Sequence, residues 1–358
     1  MNILIIAPSW LGDALIAQPL LALLRQAEPA ARIEVLASPW TAPLFSRMAE
    51  VDALLDHPFG HGRFDLAGRY RLGRALARRP GLCLPGIPLR GPASADFFDR
   101  AYVLPNSWKS ALMPFFAGIP KRIGYHGEAR FCLLTDRRRL DPQRHPRLVE
   151  RYAALAFPAG HPLPAELPRT HLASSGEVQR AARLALGLPL DVAPYIFCPG
   201  AEYGPAKRWP AAHFTTLARL LASPGHPVWL LGSNKDAALG EEIAAATGGQ
   251  ALNLCGRTTV TQAIDLIAGA QAVISNDSGL MHVAAALDRP LVALYGSSSP
   301  GYTPPLSPRA KILYRHLPCS PCFERDCPLG HFDCLNGLAP ETIAAAVAGA
   351  IATSDNGS

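Results

Sequence analysis

The chain has 358 residues, 49% of them hydrophobic and 17% charged, with a net charge of +6 at neutral pH. This composition is typical of a soluble globular protein, and the length is enough for two domains with separate cores. The first residues have no basic segment and their apolar run stops at Pro8, which argues against a signal peptide. No stretch approaches the ~20 apolar residues of a membrane-spanning helix. We therefore expect a cytosolic protein.

The start of the chain predicts a βαβ unit. Residues 3–7 and 33–37 are apolar runs of strand length, and leucines recur at helical spacing over residues 14–26. Two more short strands are expected at 100–104 and 121–125, in a region that is otherwise hard to assign. Because parallel strands need such helical crossovers, the pattern predicts an open α/β sheet.

Cations are concentrated in the first half of the chain, at residues 63–79 and 121–139. A basic surface indicates an anionic partner: anionic lipid head groups, a phosphorylated glycan or nucleic acid. For residues 69–79 the alternative is a solvated helix face. Nucleic acid is the weakest of these partners, because the cations are not interleaved with aromatic residues and no nucleic-acid-binding motif occurs.

The second half repeats the α/β pattern after a proline-rich stretch, residues 157–169, that is typical of an ordered linker. Strands are predicted at residues 195–198, 228–231, 251–254, 272–275 and 291–295, with helices after Trp209-Pro210 and over 237–246. We predict two doubly wound, Rossmann-like domains, 1–165 and 166–358, facing across a cleft at the carboxyl ends of their strands. An alanine-rich helix over 340–352 is expected to pack back on the first domain.

Residues 275–282, Ser-Asn-Asp-Ser-Gly-Leu-Met-His, join an apolar strand to a helix. Asp277 or Ser278 can cap this helix, and Gly279 lets a ligand approach the backbone. The free N–H groups of the first turn and the helix dipole can receive a phosphate, with His282 one turn further along. Ordinary capping without a ligand is the alternative.

A second turn, residues 199–207, ends in Lys207, which is a suitable point charge for a diphosphate. An exposed lysine at a helix start is the alternative. Ser233 and Lys235 follow another predicted strand and are candidate nucleotide contacts. Two anion-suited turns after separate strands of one domain support each other.

The turn after the first strand, Pro8-Ser9-Trp10-Leu11-Gly12-Asp13, has no GxGxxG fingerprint, and the chain has no Walker A motif. A nicotinamide-dependent oxidoreductase, which shares the α/β layering, would need that fingerprint. Asp13 is the only carboxylate in the turn and is a candidate general base. Its alternative role is the N-cap of a helix beginning at Ala14.

Four cysteines and a histidine fall within sixteen residues, at Cys319, Cys322, Cys327, His331 and Cys334. The CxxC opening could hold zinc, but the later spacings fit no common zinc module. A disulfide or reduced structural thiols are the alternatives, so the zinc question stays open here. Cys198 and Cys255 lie in apolar surroundings that indicate buried thiols.

The chain resembles glycosyltransferase family 9, the ADP-heptose:lipopolysaccharide heptosyltransferases. The residues that carry the resemblance are Ser-Trp-Leu-Gly-Asp at 9–13, Pro-Gly-Ala-Glu-Tyr-Gly-Pro-Ala-Lys-Arg-Trp-Pro at 199–210, the segment 275–282 and the cysteine segment 319–334. Residues 14–17 read Ala-Leu-Ile-Ala where many relatives are Met-rich, an apolar-for-apolar change. The resemblance implies a GT-B fold and an inverting transfer that needs neither metal nor cofactor.

The resemblance also implies the substrates. ADP-L-glycero-D-manno-heptose is expected on residues 166–358, and a phosphorylated Kdo–lipid A core acceptor on residues 1–165. Within the family, the chain is most similar to members that extend the first heptose of the inner core, and members that act on a neighbouring core position are the alternative. The implied location is the cytosolic face of the inner membrane, in peripheral contact with its anionic surface. A non-catalytic binder of acidic polymers is the alternative from another class.

The site residues follow from the resemblance and from the chemistry of the reaction. Asp13 is expected to take the proton of the acceptor hydroxyl. Lys207 and the helix start at Asp277, Ser278 and Gly279 are expected to stabilise the departing ADP. His282 is expected on a phosphate or a heptose hydroxyl, and Ser233 and Lys235 on adenosine.

Overall fold

The computed structural model describes residues 1–59, 64–77, 89–90 and 97–355, with only the backbone described at 89–90 and 354–355. The chain divides into two units, Met1–Arg169 and Thr170–Ser358. The division lies a few residues beyond the predicted boundary at 165. The cations at positions 63, 78 and 79 lie outside the described residues.

The first unit is built on a largely parallel sheet. Its strands, within the described residues, are β1 (Asn2–Ile6), β2 (Arg32–Ala37), β3 (Ala53–Asp56), β4 (Leu89–Arg90), β5 (Arg100–Val103), β6 (Lys121–Tyr125) and β7 (Asp136–Arg138). They lie in the order β4-β3-β2-β1-β5-β6-β7, and only β4, at the edge, is antiparallel to its neighbour. The helices of this described part are α1 (Leu11–Ile16), α2 (Gln18–Ala27), α3 (Ala42–Phe45), α4 (Leu66–Ala77), α5 (Leu112–Phe116) and α6 (Leu148–Ala154).

The helix predicted over 14–26 is two helices in the structure. It begins earlier than predicted, at Leu11, and α1 and α2 are separated at Ala17. Pro19 lies in the first turn of α2, where its missing N–H costs no helical hydrogen bond, whereas the same proline inside one long helix would remove a bond. The leucines of α2 are buried as their spacing predicts.

Two of the predicted surface cations are structural. Arg69 of α4 is buried, with its guanidinium 4.4 Å from the centre of the Phe59 ring, so the solvated-face prediction is wrong for this residue. Arg71 and Arg74 of the same helix are exposed, as predicted. Arg130 is also buried and donates to main-chain carbonyl groups. A buried guanidinium needs several acceptors, which the neighbouring backbone provides.

The second unit is built on a parallel sheet. Within the described residues its strands are β8 (Tyr195–Cys198), β9 (Val228–Leu230), β10 (Ala251–Asn253), β11 (Ala272–Asn276), β12 (Leu291–Tyr295) and β13 (Ala310–Tyr314), in the order β10-β9-β8-β11-β12-β13. The helices described in this unit are α7 (Gly176–Ala185), α8 (Ala211–Leu221), α9 (Ala237–Ala246), α10 (Val260–Ala268), α11 (Gly279–Ala286), α12 (Asp333–Asn336) and α13 (Pro340–Asp355). All five predicted strands are confirmed, and β13 was not foreseen.

The C-terminal helix α13 packs on its own unit, and its additional packing against the first domain stays a prediction. Ile343, Val347 and Ala350 are buried, and the helix contacts α8, β11 and β12. Ile343 and Val347 belong to the core cluster that contains Phe197 and Trp209. The physical reason is that β11 and β12 are buried parallel strands, which need apolar cover on both faces.

Each sheet contains the strand order of a Rossmann fold. The order reverses between β1 and β5 in the first unit and between β8 and β11 in the second. The predicted α/β class, with two Rossmann-like units as in a GT-B fold, is confirmed. Among the described helices, none has the length and apolar character needed to cross a membrane.

Candidate active site

The candidate donor site lies where β8 and β11 end. Ser275 of β11 pairs with Cys198 of β8 in parallel register, so the turns that follow these strands begin side by side. Both strands are almost wholly buried. In open α/β sheets, ligands bind at the carboxyl ends of the strands where the strand order reverses. The sheet therefore places the two anion-suited turns at the expected position for a ligand.

The turn between β11 and α11 leaves its helix without a side-chain cap. Ser278 occupies the N-cap position in extended backbone but makes no side-chain capping hydrogen bond. Its hydroxyl instead lies 3.2 Å from the hydroxyl of Ser275. Neither Asp277 nor Ser278 is thus a conventional cap. The first-turn N–H groups, from Gly279 onwards, carry the positive end of the helix dipole, which favours an anion.

Lys207 and Asp277 form an ion pair within this site. The Lys207 Nζ lies 2.6 Å from Asp277 Oδ2, and the side chains are 18% and 6% exposed. The same ammonium lies 5.2 Å from the centre of the Tyr203 ring. Lys207 is therefore not the freely solvated lysine of the alternative interpretation. Asp277 orients the ammonium, and an incoming diphosphate would share it with this carboxylate.

His282 is buried in α11 near this ion pair. Burial lowers its pKa to about 4; nearby Lys207 lowers it further and Asp277 partly opposes the shift. The imidazole is therefore neutral at physiological pH. A neutral imidazole has one N–H donor and one acceptor nitrogen, so His282 can donate a hydrogen bond without adding charge.

Ser233 and Lys235 lie after β9, and their contacts are with Asp236 and Glu202, not with the Lys207–Asp277 pair. The Ser233 hydroxyl and N–H donate to the buried Asp236 carboxylate at 2.8 and 2.9 Å. Lys235 is exposed and pairs with Glu202, on the turn that follows β8. The turns after β8 and β9 are thus linked by a surface ion pair that the sequence analysis did not foresee.

Asn276, at the end of β11, lies in the candidate site, and the sequence analysis assigned it no role. It is fully buried, its side-chain amide donates to the Pro199 carbonyl at 2.7 Å, and its Oδ1 accepts from the Trp209 N–H at 3.1 Å. Its position in the segment 275–282, directly after the apolar residues of β11, could have identified it from the sequence. A polar amide at the buried end of an apolar strand needs both a donor and an acceptor partner.

Asp13 belongs to the first unit and follows β1. It is the third residue of α1, and Trp10 occupies the N-cap position, so the alternative role of Asp13 as the N-cap of a helix starting at Ala14 is wrong. The carboxylate is half-buried in the first helical turn, where the helix dipole favours a negative charge. The turn lies at the end of β1, beside the point where the strand order of this sheet reverses.

The clustered cysteines surround one cavity and are free thiols. The cavity is lined by Ala206, Ser297, Cys319, Ser320, Cys322, Cys327, Pro328, Leu329, His331, Phe332 and Cys334. Backbone N–H groups, that of Phe332 first, lower the pKa of the Cys327 thiol, whereas burial raises that of Cys334. Across the described ranges, no group of three or more His, Cys, Asp or Glu side chains is arranged to hold a metal ion. Cys198 and Cys255 are buried thiols, as predicted.

The cysteine segment packs against the Lys207 turn. The Arg325 carbonyl accepts from the Ala206 N–H at 3.0 Å, and the Phe323 N–H donates to the Ser297 carbonyl at 2.7 Å. The Tyr203 hydroxyl donates to the Phe323 carbonyl at 2.5 Å. The cysteine segment therefore supports the Lys207 turn through hydrogen bonds from outside the sheet. The spacing of the cysteines alone did not indicate this role.

Comparison with known proteins agrees with this geometry. Residues 94–333 match the model of glycosyltransferase family 9 (heptosyltransferase). Lipopolysaccharide heptosyltransferase 2 of Salmonella typhimurium is 46% identical over 322 residues, which cover 87% of this chain and 88% of that protein. The Escherichia coli K12 protein of the same name is 46% identical over 325 residues, with the same coverage. The solved structure of E. coli ADP-heptose LPS heptosyltransferase II has a TM-score of 0.84 at 40% identity and covers 99% of this chain and 100% of that one.

The family match covers more than half of the chain, and the two relatives cover most of it. These matches identify the chain as a glycosyltransferase, so they exclude the nicotinamide-dependent oxidoreductase and the non-catalytic polymer binder. The chain belongs to glycosyltransferase family 9, the heptosyltransferases.

Proposed function

We propose that this enzyme is a heptosyltransferase II, which moves L-glycero-D-manno-heptose from ADP-heptose to the first heptose of the lipopolysaccharide inner core. The observation that carries the proposal is the Lys207–Asp277 pair beside the uncapped start of α11, at the strand-order reversal. The high identity to relatives named heptosyltransferase 2 supports this position on the core. Heptosyltransferase I or III, which act on neighbouring positions, is the alternative.

The donor diphosphate is bound by positive charge from the second unit. The Lys207 ammonium and the first N–H groups of α11, from Gly279, bind the phosphates and stabilise the charge that develops on the departing ADP. Asp277 holds the ammonium in place before the donor arrives, at 2.6 Å. The Ser278 hydroxyl and the neutral His282 donate to phosphate or to heptose hydroxyls.

The adenosine is assigned to the turn after β9. Ser233 begins this turn and Lys235 lies within it, and β9, which the turn follows, is the strand next to β8. Lys235 has an exposed ammonium whose partner, Glu202, is also exposed. A surface pair of this kind is weak enough to rearrange around a ribose or adenine.

The sugar transfer is an inverting displacement. The acceptor oxygen forms a bond to the anomeric carbon while the bond from that carbon to the diphosphate oxygen breaks, through an oxocarbenium-like transition state. Asp13 accepts the proton of the acceptor hydroxyl as the new bond forms. ADP leaves with the bonding electrons, and its added charge is balanced by Lys207 and the start of α11.

The acceptor, a phosphorylated Kdo–lipid A core, is assigned to the first unit. Exposed cations there, among them Arg71, Arg74 and Lys121, suit phosphate groups on the acceptor and anionic lipid head groups. We place the enzyme in the cytosol, in peripheral contact with the anionic surface of the inner membrane. Such contact weakens with ionic strength, because it depends on charges near the lipid surface.

A panel of acceptors tests the proposal. The enzyme is incubated with ADP-heptose and, separately, with Kdo2–lipid A, heptosyl-Kdo2–lipid A and the acceptor that already carries two heptoses, and ADP release is measured. We expect transfer to heptosyl-Kdo2–lipid A with the highest kcat/KM. Preference for the acceptor without heptose would assign heptosyltransferase I, and preference for the longest acceptor would assign heptosyltransferase III. Absence of ADP release with all three would contradict heptosyl transfer.

A further inference from the structure

We infer that Asn276 is a positioning residue that sets the geometry of the donor site. It does so by bonding to both ends of the segment 199–209, which contains Lys207. The inference rests on the proposed function only in that this turn binds the donor diphosphate. Asn276 acts through Lys207 and Asp277 and has no assigned contact with the substrate.

The contacts of Asn276 span two distant parts of the chain. Its Nδ2 donates to the Pro199 carbonyl at 2.7 Å, just after β8. Its Oδ1 accepts from the Trp209 N–H at 3.1 Å, just before α8. One planar amide thus bonds to the main chain at the first and last residues of the segment 199–209, whose Lys207 faces the donor site.

An amide fits both partners at any pH, whereas an ionised carboxylate or an apolar side chain does not. The Pro199 carbonyl needs a donor, the Trp209 N–H needs an acceptor, and Asn276 is fully buried, so that bulk water does not replace either bond. An ionised aspartate would accept from Trp209 but has no proton for Pro199. An alanine would leave both buried main-chain groups without their partners.

The same residue also connects to the other half of the ion pair. Asp277 directly follows Asn276, and its N–H donates to the Leu294 carbonyl of β12 at 3.1 Å. The main chain that carries this carboxylate is thereby fixed to the sheet, while Asn276 fixes the turn that presents Lys207. Loss of the amide would therefore let the ammonium move relative to Asp277 and to the start of α11. The disturbed site would then bind the diphosphate less tightly.

The test compares Asn276→Ala and Asn276→Asp with a matched control, Asn253→Ala. Asn253, on the edge strand β10, makes the same kind of two main-chain bonds: its Nδ2 donates to the Ala237 carbonyl at 3.1 Å and its Oδ1 accepts from the Cys255 N–H at 3.0 Å. The dissociation constant of ADP, the KM for ADP-heptose and kcat are measured at a temperature where thermal unfolding shows each variant to be folded. Small displacements of positioned groups cost rates of about 10- to 100-fold.

For Asn276→Ala and for Asn276→Asp at pH 8, we expect ADP affinity to fall and donor KM to rise by about 10-fold or more, with a lower kcat. The Asn253→Ala control should keep wild-type values even if it is less stable. As the pH falls to about 5.5, the buried carboxyl of Asn276→Asp takes up a proton and can again donate to Pro199, so its ADP affinity should recover relative to wild type, whereas Asn276→Ala should not recover.

Wild-type ADP affinity and kinetics in either folded Asn276 variant would overturn the inference, as would an equal loss in the Asn253→Ala control. If Asn276→Ala does not fold, Asn276→Asp, which has almost the same shape, gives the result by its pH dependence. Failure of the proposed donor site has a different signature, because the wild-type enzyme itself would then bind no ADP.

Discussion

Replacing Lys207 by alanine leaves the Asp277 carboxylate without its ammonium partner, at a position where that side chain is only 6% exposed. Breaking a fully buried ion pair on one side costs about 3–5 kcal/mol of folding free energy. Lys207 is 18% exposed, so water screens part of this cost, and we expect a value at or below the lower end of that range, about 2–3 kcal/mol. Adding Asp277→Asn to Lys207→Ala removes the unpaired negative charge of Asp277. The double variant should therefore regain most of the folding free energy that Lys207→Ala loses.

Donor affinity should behave differently from stability in the same variants. The loss of charge-assisted hydrogen bonds from Lys207 to the diphosphate costs about 1.5–3 kcal/mol, which corresponds to roughly 10- to 150-fold weaker ADP binding. The double variant with Asp277→Asn restores no ammonium. Its ADP affinity should therefore stay as low as that of Lys207→Ala.

Calorimetric titration with ADP and thermal unfolding measure the two effects separately. Lys235→Ala is the control for stability, since its pair with Glu202 is exposed and contributes at most about 1 kcal/mol. The reasoning is refuted if Lys207→Ala binds ADP as well as wild type does. It is also refuted if ADP affinity returns together with stability in the double variant.

Three further predictions concern other parts of the molecule. Asp13→Asn should lower kcat by about 100- to 10,000-fold while ADP affinity stays within a few-fold of wild type, because a base and not a donor contact is lost; steady-state kinetics and ADP titration check this. Burial lowers the pKa of His282 to about 4, whereas in the unfolded chain it has the ordinary histidine value of about 6.5. The unfolded chain therefore takes up the proton first as the pH falls, and stability should fall by about 3 kcal/mol between pH 6.5 and 4 but not change above pH 6.5. His282→Gln should flatten that part of the melting-temperature profile, and so should His57→Gln, whose pKa is also lowered to about 4, but only His282→Gln should weaken ADP binding. Ile343→Ala should destabilise the second unit by about 2–5 kcal/mol, whereas Thr342→Ala, on the exposed side of α13, should change stability by less than about 0.5 kcal/mol in denaturant unfolding; equal effects would contradict the packing of this helix.

The strands that carry the donor site could be predicted because their pattern is strong. β11 is a short apolar run that ends in the small, polar residues Ser275 and Asn276, and β8 is an apolar run that Pro199 and Gly200 follow. Parallel pairing then brings the two turns together without any further information. That is why Lys207 and the segment 275–282 could be assigned to one site from the sequence.

Contacts that depend on tertiary structure could not be predicted. The pair of Lys207 with Asp277 and the two bonds of Asn276 join residues that are far apart in the chain, and no local propensity encodes them. The packing of α13 on β11 and β12 could not be predicted for a related reason. Its buried face is as apolar as the core it covers, and the pattern shows that a face is buried without showing which sheet it meets.

The early start of α1 changed the interpretation of Asp13. A run of Trp10-Leu11-Gly12 gives no capping side chain, so the sequence suggested a helix that begins after Asp13. The structure begins the helix at Leu11, and Asp13 lies inside its first turn. The helix dipole favours its charge there, and its role as the base stays a prediction that the Asp13→Asn variant tests.

The most direct test of the central claim is the mass of the acceptor after reaction. Heptosyl-Kdo2–lipid A is incubated with ADP-heptose and the enzyme, and the product is analysed by mass spectrometry while released ADP is counted. The account predicts that each acceptor gains one heptose for every ADP released, with transfer lost in Asp13→Asn. ADP release without any gain in acceptor mass, or an unchanged acceptor with no ADP released, would contradict it.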